Sequence, residues 1–311
     1  MINTYPTSGT KISAVIVLYF PDEVLLERLV ASIKGTVASI IVVDNTPSGK
    51  LKWLAYNWFV SKNFDVVYKA LGDNYGIAKA QNEGVAIAIA NNSDHVILFD
   101  QDSAASPMMI QGLLTEELAL LSIGVKLGAV GPAFMDEKTG DYANVIRYGN
   151  FLTKRIPITF DDVKPIRAGS IIASGALIRV SVLKEVGLMR EDLFIDGVDI
   201  EWALRASHFG YQHFVAPRAL MLHSMGDSYM VVGKRKLNIH SDLRHYYMVR
   251  NSCNLAVDAM MGRQFRTIIF LKIPLYVIFY SVTSATPFAS LRNLLRACSD
   301  GFSGKLGKVA L

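Results

Sequence analysis

Short, unbroken apolar runs alternate with stretches of helical spacing through the first hundred residues of the chain. The runs Ser13 to Phe20, Ser39 to Val43, Asp65 to Tyr68 and His95 to Phe99 are compact and rich in β-formers, which predicts buried strands. After the first run, Pro21-Asp22 opens a segment whose apolar residues Val24, Leu25, Leu29, Val30 and Ile33 recur at helical spacing before Gly35. An alanine-rich helix is predicted from Ile77 to Ala90. A βαβα order of this kind gives a parallel sheet covered by helices.

The second half changes rhythm. Strands are predicted over Ser170 to Ile178 and His213 to Leu222, with a helix over Val198 to Phe209 between them. A longer amphipathic helix follows from Ser241 to about Met261. The stretch Ile268 to Ala285 is strongly apolar, interrupted by Lys272 and Pro274 and closed by Pro287. It is marginal against the ~20 apolar residues that a spanning helix needs. A membrane-facing helix, a single transmembrane pass and ordinary core are all compatible with it. Arg263, Arg266, Arg292 and Arg296 on its flanks suit anionic headgroups as well as they suit a solvated helix face.

Composition narrows the setting. The 311 residues, 51% of them hydrophobic, are ample for one large core or a large domain with an appendage. Cys253 and Cys298 are the only cysteines, which fits a reducing compartment and excludes a disulfide framework. The amino terminus lacks a basic start followed by an apolar stretch, so secretion is not expected. The net charge of +5 is unevenly spread: residues 230–311 carry +9 and the remainder −4. A basic, apolar tail behind a mildly acidic body points to an anionic membrane surface or a phosphorylated partner. No nucleic-acid motif accompanies the charge, so nucleic acid is not an expected partner.

The candidate chemistry sits at the ends of the predicted strands. Asp100-Gln101-Asp102 closes the fourth run, and residues two apart on a strand share a face. Two carboxylates at the carboxyl end of a sheet strand suit Mg²⁺ or Mn²⁺ with a diphosphate, or else form a solvated turn. Asp44 ends the second run, where it could accept a base imide or cap a turn, while Tyr19 could cover a ring or join the core. The stretch Asn74 to Gly84, with Asn74, Gly76, Ile77 and Asn82, reads as a tight loop entering a helix whose first N–H groups suit a phosphate or a nucleoside hydroxyl. An alanine-rich capped helix explains the same pattern. It matches neither the P-loop nor the dinucleotide fingerprint. Asp196, Asp199 and Glu201 open a helix, where acids are favourable through the helix dipole, yet Asp196 or Asp199 could also take a hydroxyl proton from a substrate. Trp202 could stack on a sugar or fill the core. His223, after the last strand, could complete a metal site or contact a phosphate, or be structural.

In this order, these groups resemble the inverting nucleotide-sugar transferases of glycosyltransferase family 2 over nearly the whole chain. The carriers are VIVLYF ending at Phe20, the VDN at 43–45, the NxGxAxAxNxG pattern from Asn74 to Gly84, Asp100-Gln101-Asp102, the small pair Ser174-Gly175, and Asp199 with Glu201 and Arg205. The family's usual Glu before the catalytic Asp is valine here, Val198. The resemblance implies a Rossmann-like A-type (GT-A) α/β fold with a mixed central sheet covered on both faces and a helical, membrane-associating carboxyl terminus. It divides the chain into a nucleotide-sugar and catalytic domain, 1–230, and a membrane-proximal region, 231–311. Asp199 takes the place of the catalytic base, and Asp102 with His223 that of the metal ligands for Mg²⁺ or Mn²⁺. Tyr19, Asp44, Asn74, Gly76, Ile77, Asn82, Asp100, Gln101 and Arg250 fall on the donor side. Asp196, Trp202, Ser174 and Gly175 fall on the acceptor side.

The wording from Phe194 to Arg205, YYxxRN at Tyr246 to Asn251 and GFSGKLG from Gly301 to Gly307 are similar to the bacterial rhamnosyltransferase subgroup. That likeness implies transfer of L-rhamnose from dTDP-L-rhamnose to a saccharide or lipid-linked acceptor of an O-antigen-like polysaccharide. It further implies a peripheral enzyme on the cytoplasmic side of the inner membrane, which could form a homo-oligomer. Another nucleotide-activated hexose is the alternative donor. A nucleotidyltransferase would need an early glycine-rich triphosphate loop, which residues 1–20 lack. A non-catalytic assembly protein would be indifferent to Asp199.

Overall fold

A computed structural model describes residues 9–48, 55–136, 140–159, 161–223, 229–232, 235–238 and 241–309. The amino-terminal half alternates β1 (Ile12–Leu18), α1 (Glu23–Ile33), β2 (Ser39–Asp44), α2 (Ala55–Ser61), β3 (Val67–Ala70), α3 (Ile77–Ala90) and β4 (His95–Asp100). Then come β5 (Ser103–Ala105), α4 (Met109–Ser122), β6 (Leu127–Asp136), the hairpin of β7 (Val145–Tyr148) and β8 (Thr153–Ile156), and β9 (Ile166–Ala168). They are followed by β10 (Leu177–Arg179), α5 (Val180–Val186), α6 (Val198–His208) and β11 (Gln212–His223). A second hairpin, β12 (Tyr229–Val232) and β13 (Arg235–Asn238), leads to α7 (Asp242–Val257), α8 (Arg263–Thr283) and α9 (Pro287–Phe302).

Nine strands form the main sheet in the order β3-β2-β1-β4-β10-β6-β11-β5, with β9 also on β11. The first four strands pair in parallel, and β10 enters antiparallel between β4 and β6, making the sheet mixed. Strand alternation sorts each side chain to one face. Val15, Val17, Val96 and Leu98 meet α3, α5 and α6 on one side, whereas Ala14, Ile16, Ile97 and Phe99 meet α1 and α4 on the other. Buried on both faces, these strands are apolar throughout, which is why they read as unbroken runs. A third core lies among α7, α8 and α9 and includes Phe194 from the loop before α6.

Several boundaries differ from the sequence reading. The third strand begins two residues later than expected, at Val67. In α1 the buried stripe uses Leu26, not Val24 or Leu25; Val24 is exposed because Asp22 caps the helix through Val24 N and Leu25 N and so fixes its rotation. Ser170 to Ile178 is no single strand. Gly175 has φ +74°, and only Leu177–Arg179 joins the sheet. The apolar stretch from Ile268 lies within α8, which begins earlier, at Arg263, and runs for 21 residues with Lys272 and Pro274 inside it.

Candidate active site

A cleft of about 520 Å³ opens at the carboxyl ends of β1, β2 and β4, where parallel α/β sheets gather ligands. Among the predicted residues, Tyr19, Asn74, Gly76, Ile77, Asp100, Gln101, Asp102, Asp196 and Asp199 line it. Asn45, Phe194 and Arg244 line it too; the first two fall in motifs of the sequence but none of the three was expected at the site.

On one wall, side-chain amides fix the loops. Gln101 clasps the backbone of Tyr19, accepting from Tyr19 N at 2.8 Å and donating to its carbonyl at 3.1 Å. Asn45 donates to Asn74 Oδ1 at 3.0 Å and accepts from Tyr75 N at 2.8 Å. Gly76 has φ +88°, and a Cβ there would lie 2.5 Å from the carbonyl oxygen of Phe194, so only glycine fits. The Ile77 N–H donates to that same carbonyl at 2.8 Å. This corrects one expectation: that N–H of α3 is consumed by the loop before α6 and is not offered to a phosphate.

Other predicted contacts prove to be buried supports. Asp44 is fully buried, accepting from Thr46 N at 2.9 Å and from the Tyr68 hydroxyl at 2.7 Å; burial and this bond push the Tyr68 pKa up. It caps the turn after β2 and does not face the cleft. Asn82 exchanges two hydrogen bonds with the backbone of Met189 and donates to Glu191, holding α3 against the approach to α6. Trp202 is core, its indole N–H bonded to the Gly187 carbonyl at 2.9 Å. Ser174 is buried, its hydroxyl 2.9 Å from that of Ser103 and accepting from Asp100 N at 3.0 Å. Gly175 packs on Pro132, where a Cβ would approach to 2.6 Å. Ser174 and Gly175 therefore brace the end of β4, while their neighbours Ile172 and Ala173 reach the cleft.

The acidic triplet is arranged differently from the strand argument. β4 stops at Asp100, Gln101-Asp102 forms a turn, and β5 begins at Ser103. The turn, not strand periodicity, carries both carboxylates to the cleft. Two carboxylates are the donor chemistry that Mg²⁺ and Mn²⁺ take, with diphosphate oxygens and water completing the shell. No group of three or more His, Cys, Asp or Glu suited to a metal gathers among the described residues. The backbone of His223 pairs with Ser103, beside Asp102, while its side chain and Ser224 to Asp227 lie outside the described residues. The residues present fit such an ion as a partial shell that a diphosphate would complete.

Opposite the triplet, the loop from Phe194 to Gly197 is bent sharply. Phe194, Asp196 and Gly197 have φ of +66°, +64° and +80°, a region that costs a non-glycine residue roughly 1–3 kcal/mol. Asn251 Nδ2 donates to the carbonyls of Leu193, Ile195 and Asp196 at 2.8–3.0 Å and so stabilises the bend. Arg250 corrects a second expectation. It is fully buried, donating to the carbonyls of Gly307 and Leu193 and to Asn251 Oδ1, and it contacts no cleft. Arg244 is the cation at the site: its Nε lies 3.2 Å from both oxygens of Asp196. No spacing in the sequence connects residues this far apart. Asp199, at the first turn of α6, has its pKa raised, chiefly by burial and further by the charge of Asp196, against the lowering effect of the Ile200 N–H at 2.8 Å. A carboxylate with this shift facing a cleft is suited to accept a proton.

The model of the family described as glycosyl transferase family 2 matches residues 13–187. RfbF of Shigella flexneri, a dTDP-rhamnosyl transferase, is 32% identical over 248 residues, which span 78% of this chain and 79% of that protein. Among solved structures, GalNAc-T7 with UDP, GalNAc and Mn²⁺ superposes on 91% of this chain with a TM-score of 0.59 and 18% identity. TarS of S. aureus superposes on 94% with a TM-score of 0.51 and 12% identity. The chain spans 59% of the first of these structures and 54% of the second, and at such identities the likeness is one of fold.

Proposed function

The chain belongs to glycosyl transferase family 2, has the A-type glycosyltransferase fold and is a glycosyltransferase; from that premise we propose that it transfers L-rhamnose from dTDP-L-rhamnose, with inversion, to a saccharide or lipid-linked acceptor in cell-surface polysaccharide assembly. One observation carries the mechanism: Asp199 and the pair Asp100 and Asp102 line the same cleft. The choice of donor rests on the likeness to RfbF. Tyr19 and the Asn45–Asn74 clasp shape the nucleotide wall, and the diphosphate lies towards the triplet. A divalent ion, Mg²⁺ or Mn²⁺, would be held by Asp102 with Asp100 and His223, and when bound would neutralise charge on the leaving diphosphate. Asp199 removes the proton of the acceptor hydroxyl while that oxygen bonds to the anomeric carbon. The bond from that carbon to the diphosphate oxygen breaks on the opposite side, and dTDP leaves. General-base help typically contributes about 10²- to 10⁴-fold, so positioning by the rigid walls supplies much of the remainder.

The same reading makes the enzyme peripheral on the cytoplasmic side of the inner membrane, in keeping with the basic, apolar α8–α9 region. A donor panel tests the assignment. Purified protein with Mg²⁺ or Mn²⁺ should release dTDP from dTDP-rhamnose, and chelation with EDTA should suppress this. Release of UDP or GDP from other sugar nucleotides, with none from dTDP-rhamnose, would discard the rhamnosyl reading and leave the transferase.

A further inference from the structure

A second cavity, of about 690 Å³, opens between the β7–β8 hairpin, β9, the end of α6 and the start of α8. Arg147, Arg167 and Arg263 all line it, and no acidic residue does. Among the described residues none of the three has an ion-pair or hydrogen-bond partner, although most other cations of the fold do. A smaller cavity beside it shares Arg147 and adds Lys154. Exposed arginines are ordinarily solvated singly. Three that line one concavity add to its positive potential, and a multivalent anion can satisfy them through bidentate bonds. α8 also begins in this wall, at Gly262, without a side-chain cap on its first N–H groups.

The cavity is joined to the active site by shared walls. Tyr148 lines it and also an apolar pocket of about 200 Å³, which Asp199 and Ile172 share with the donor cleft. On its other side α8 leads away, exposing Phe270, Leu271, Leu275 and Ile278. A hydroxyl position, an anion position and an apolar track therefore follow one another. We propose that the arginine cavity binds the phosphate or diphosphate ester of a lipid, so that a phosphate-linked lipid acceptor would lie with its sugar at Asp199 and its chain along α8. This rests on the transferase reading for the sugar end, but the anion site can be measured without turnover.

The probe is inorganic diphosphate, titrated by calorimetry without divalent cations and with dTDP saturating the donor cleft. The expected result is binding that weakens at least about tenfold in Arg147→Ala/Arg167→Ala/Arg263→Ala, a change of about 1.4 kcal/mol. The Lys triple variant should keep part of the affinity, and Arg292→Ala, outside the cavity, should keep all of it. Unchanged dTDP affinity and melting temperature would show that the triple variant is folded. Two further arms identify the source of the ester. Loss of farnesyl diphosphate binding in detergent indicates a phosphate-linked acceptor. Loss of binding to phosphatidylglycerol-containing vesicles, with farnesyl diphosphate retained, indicates a bilayer headgroup. Undiminished diphosphate affinity in the Ala triple variant would overturn the site, whatever the donor panel returns.

Discussion

In the role proposed for it Asp199 must be ionised, yet its surroundings make ionisation costly. A carboxyl whose native pKa lies above its unfolded value, about 3.9 for Asp, binds its proton more tightly in the folded protein. Its contribution to stability is full below the unfolded value and is lost as pH rises through the folded one. Asn has the same shape and never ionises. Asp199→Asn should therefore abolish transfer, retain dTDP binding, and melt higher than wild type at pH 7. That advantage should shrink towards nothing as pH falls to about 4. A variant whose melting temperature differs from wild type by the same amount at both pH values would mean that the carboxyl is not strained. In the native enzyme the acidic limb of kcat/KM should lie above the ordinary Asp range. Residue identity marked Asp199, which lines the cleft, but it could not separate cleft from core. A strand-end Asp44, a helical Trp202 and a basic Arg250 look like ligands in sequence. Each is instead consumed by bonds to its own chain.

Elements explain where such consumed residues matter. The turn leading to α6 is held from two sides: α3 receives Phe194 through Gly76 and Ile77, and α7 receives Leu193 to Asp196 through Arg250 and Asn251. The closing segment takes part as well, since Gly307 N donates to Asp192 and Gly307 O accepts from Arg250. Two stretches that carry subgroup likeness, YYxxRN and GFSGKLG, thus meet beneath the loop that leads to Asp199. Gly301 allows this closeness, because a Cβ there would lie 2.2 Å from the Arg250 carbonyl. Asn251→Leu keeps the volume and removes the donors, leaving buried carbonyls unpaired at roughly 1–3 kcal/mol. It should lower the melting temperature and reduce kcat at least about tenfold, with the KM for donor little changed. Wild-type kcat in a destabilised variant would show that α7 supports the fold but not the loop. The helices were legible because burial on one face writes a period into the chain, and the parallel strands because burial on both faces leaves an unbroken apolar run. The Ser170 to Ala176 bend was not, because its apolar run looks like a strand although Ile172 and Ala173 line the cleft and Gly175 sets a turn before the sheet begins.

At the scale of the molecule, the question is what α8 faces. The helix is long and apolar enough to cross a membrane by composition, with a mean hydropathy of 1.6, but 39% of its apolar window is buried against the protein. Lys272, the charge that broke the sequence pattern, donates to Thr153 on β8 at 3.1 Å and so turns towards the protein. Exposed on α8 are Phe270, Leu271, Leu275, Ile278 and Val282, and α9 exposes Phe288 and Leu295. In the proposed peripheral reading, these exposed apolar residues, in a region of net charge +9, would meet the boundary of an anionic bilayer. An amphipathic helix lying in that boundary gains from each apolar side chain it buries, about 1.5–3 kcal/mol when burial is complete. Leu271→Glu/Leu275→Glu/Ile278→Glu changes exposed positions only, so the fold and donor hydrolysis should persist. Affinity for phosphatidylglycerol-containing vesicles should fall at least about a hundredfold. High salt should weaken wild-type binding without abolishing it, since the apolar contact is not screened. If instead light scattering finds a dimer that the triple variant dissolves, with vesicle affinity unaltered, a second copy of the chain covers this face and the membrane reading fails.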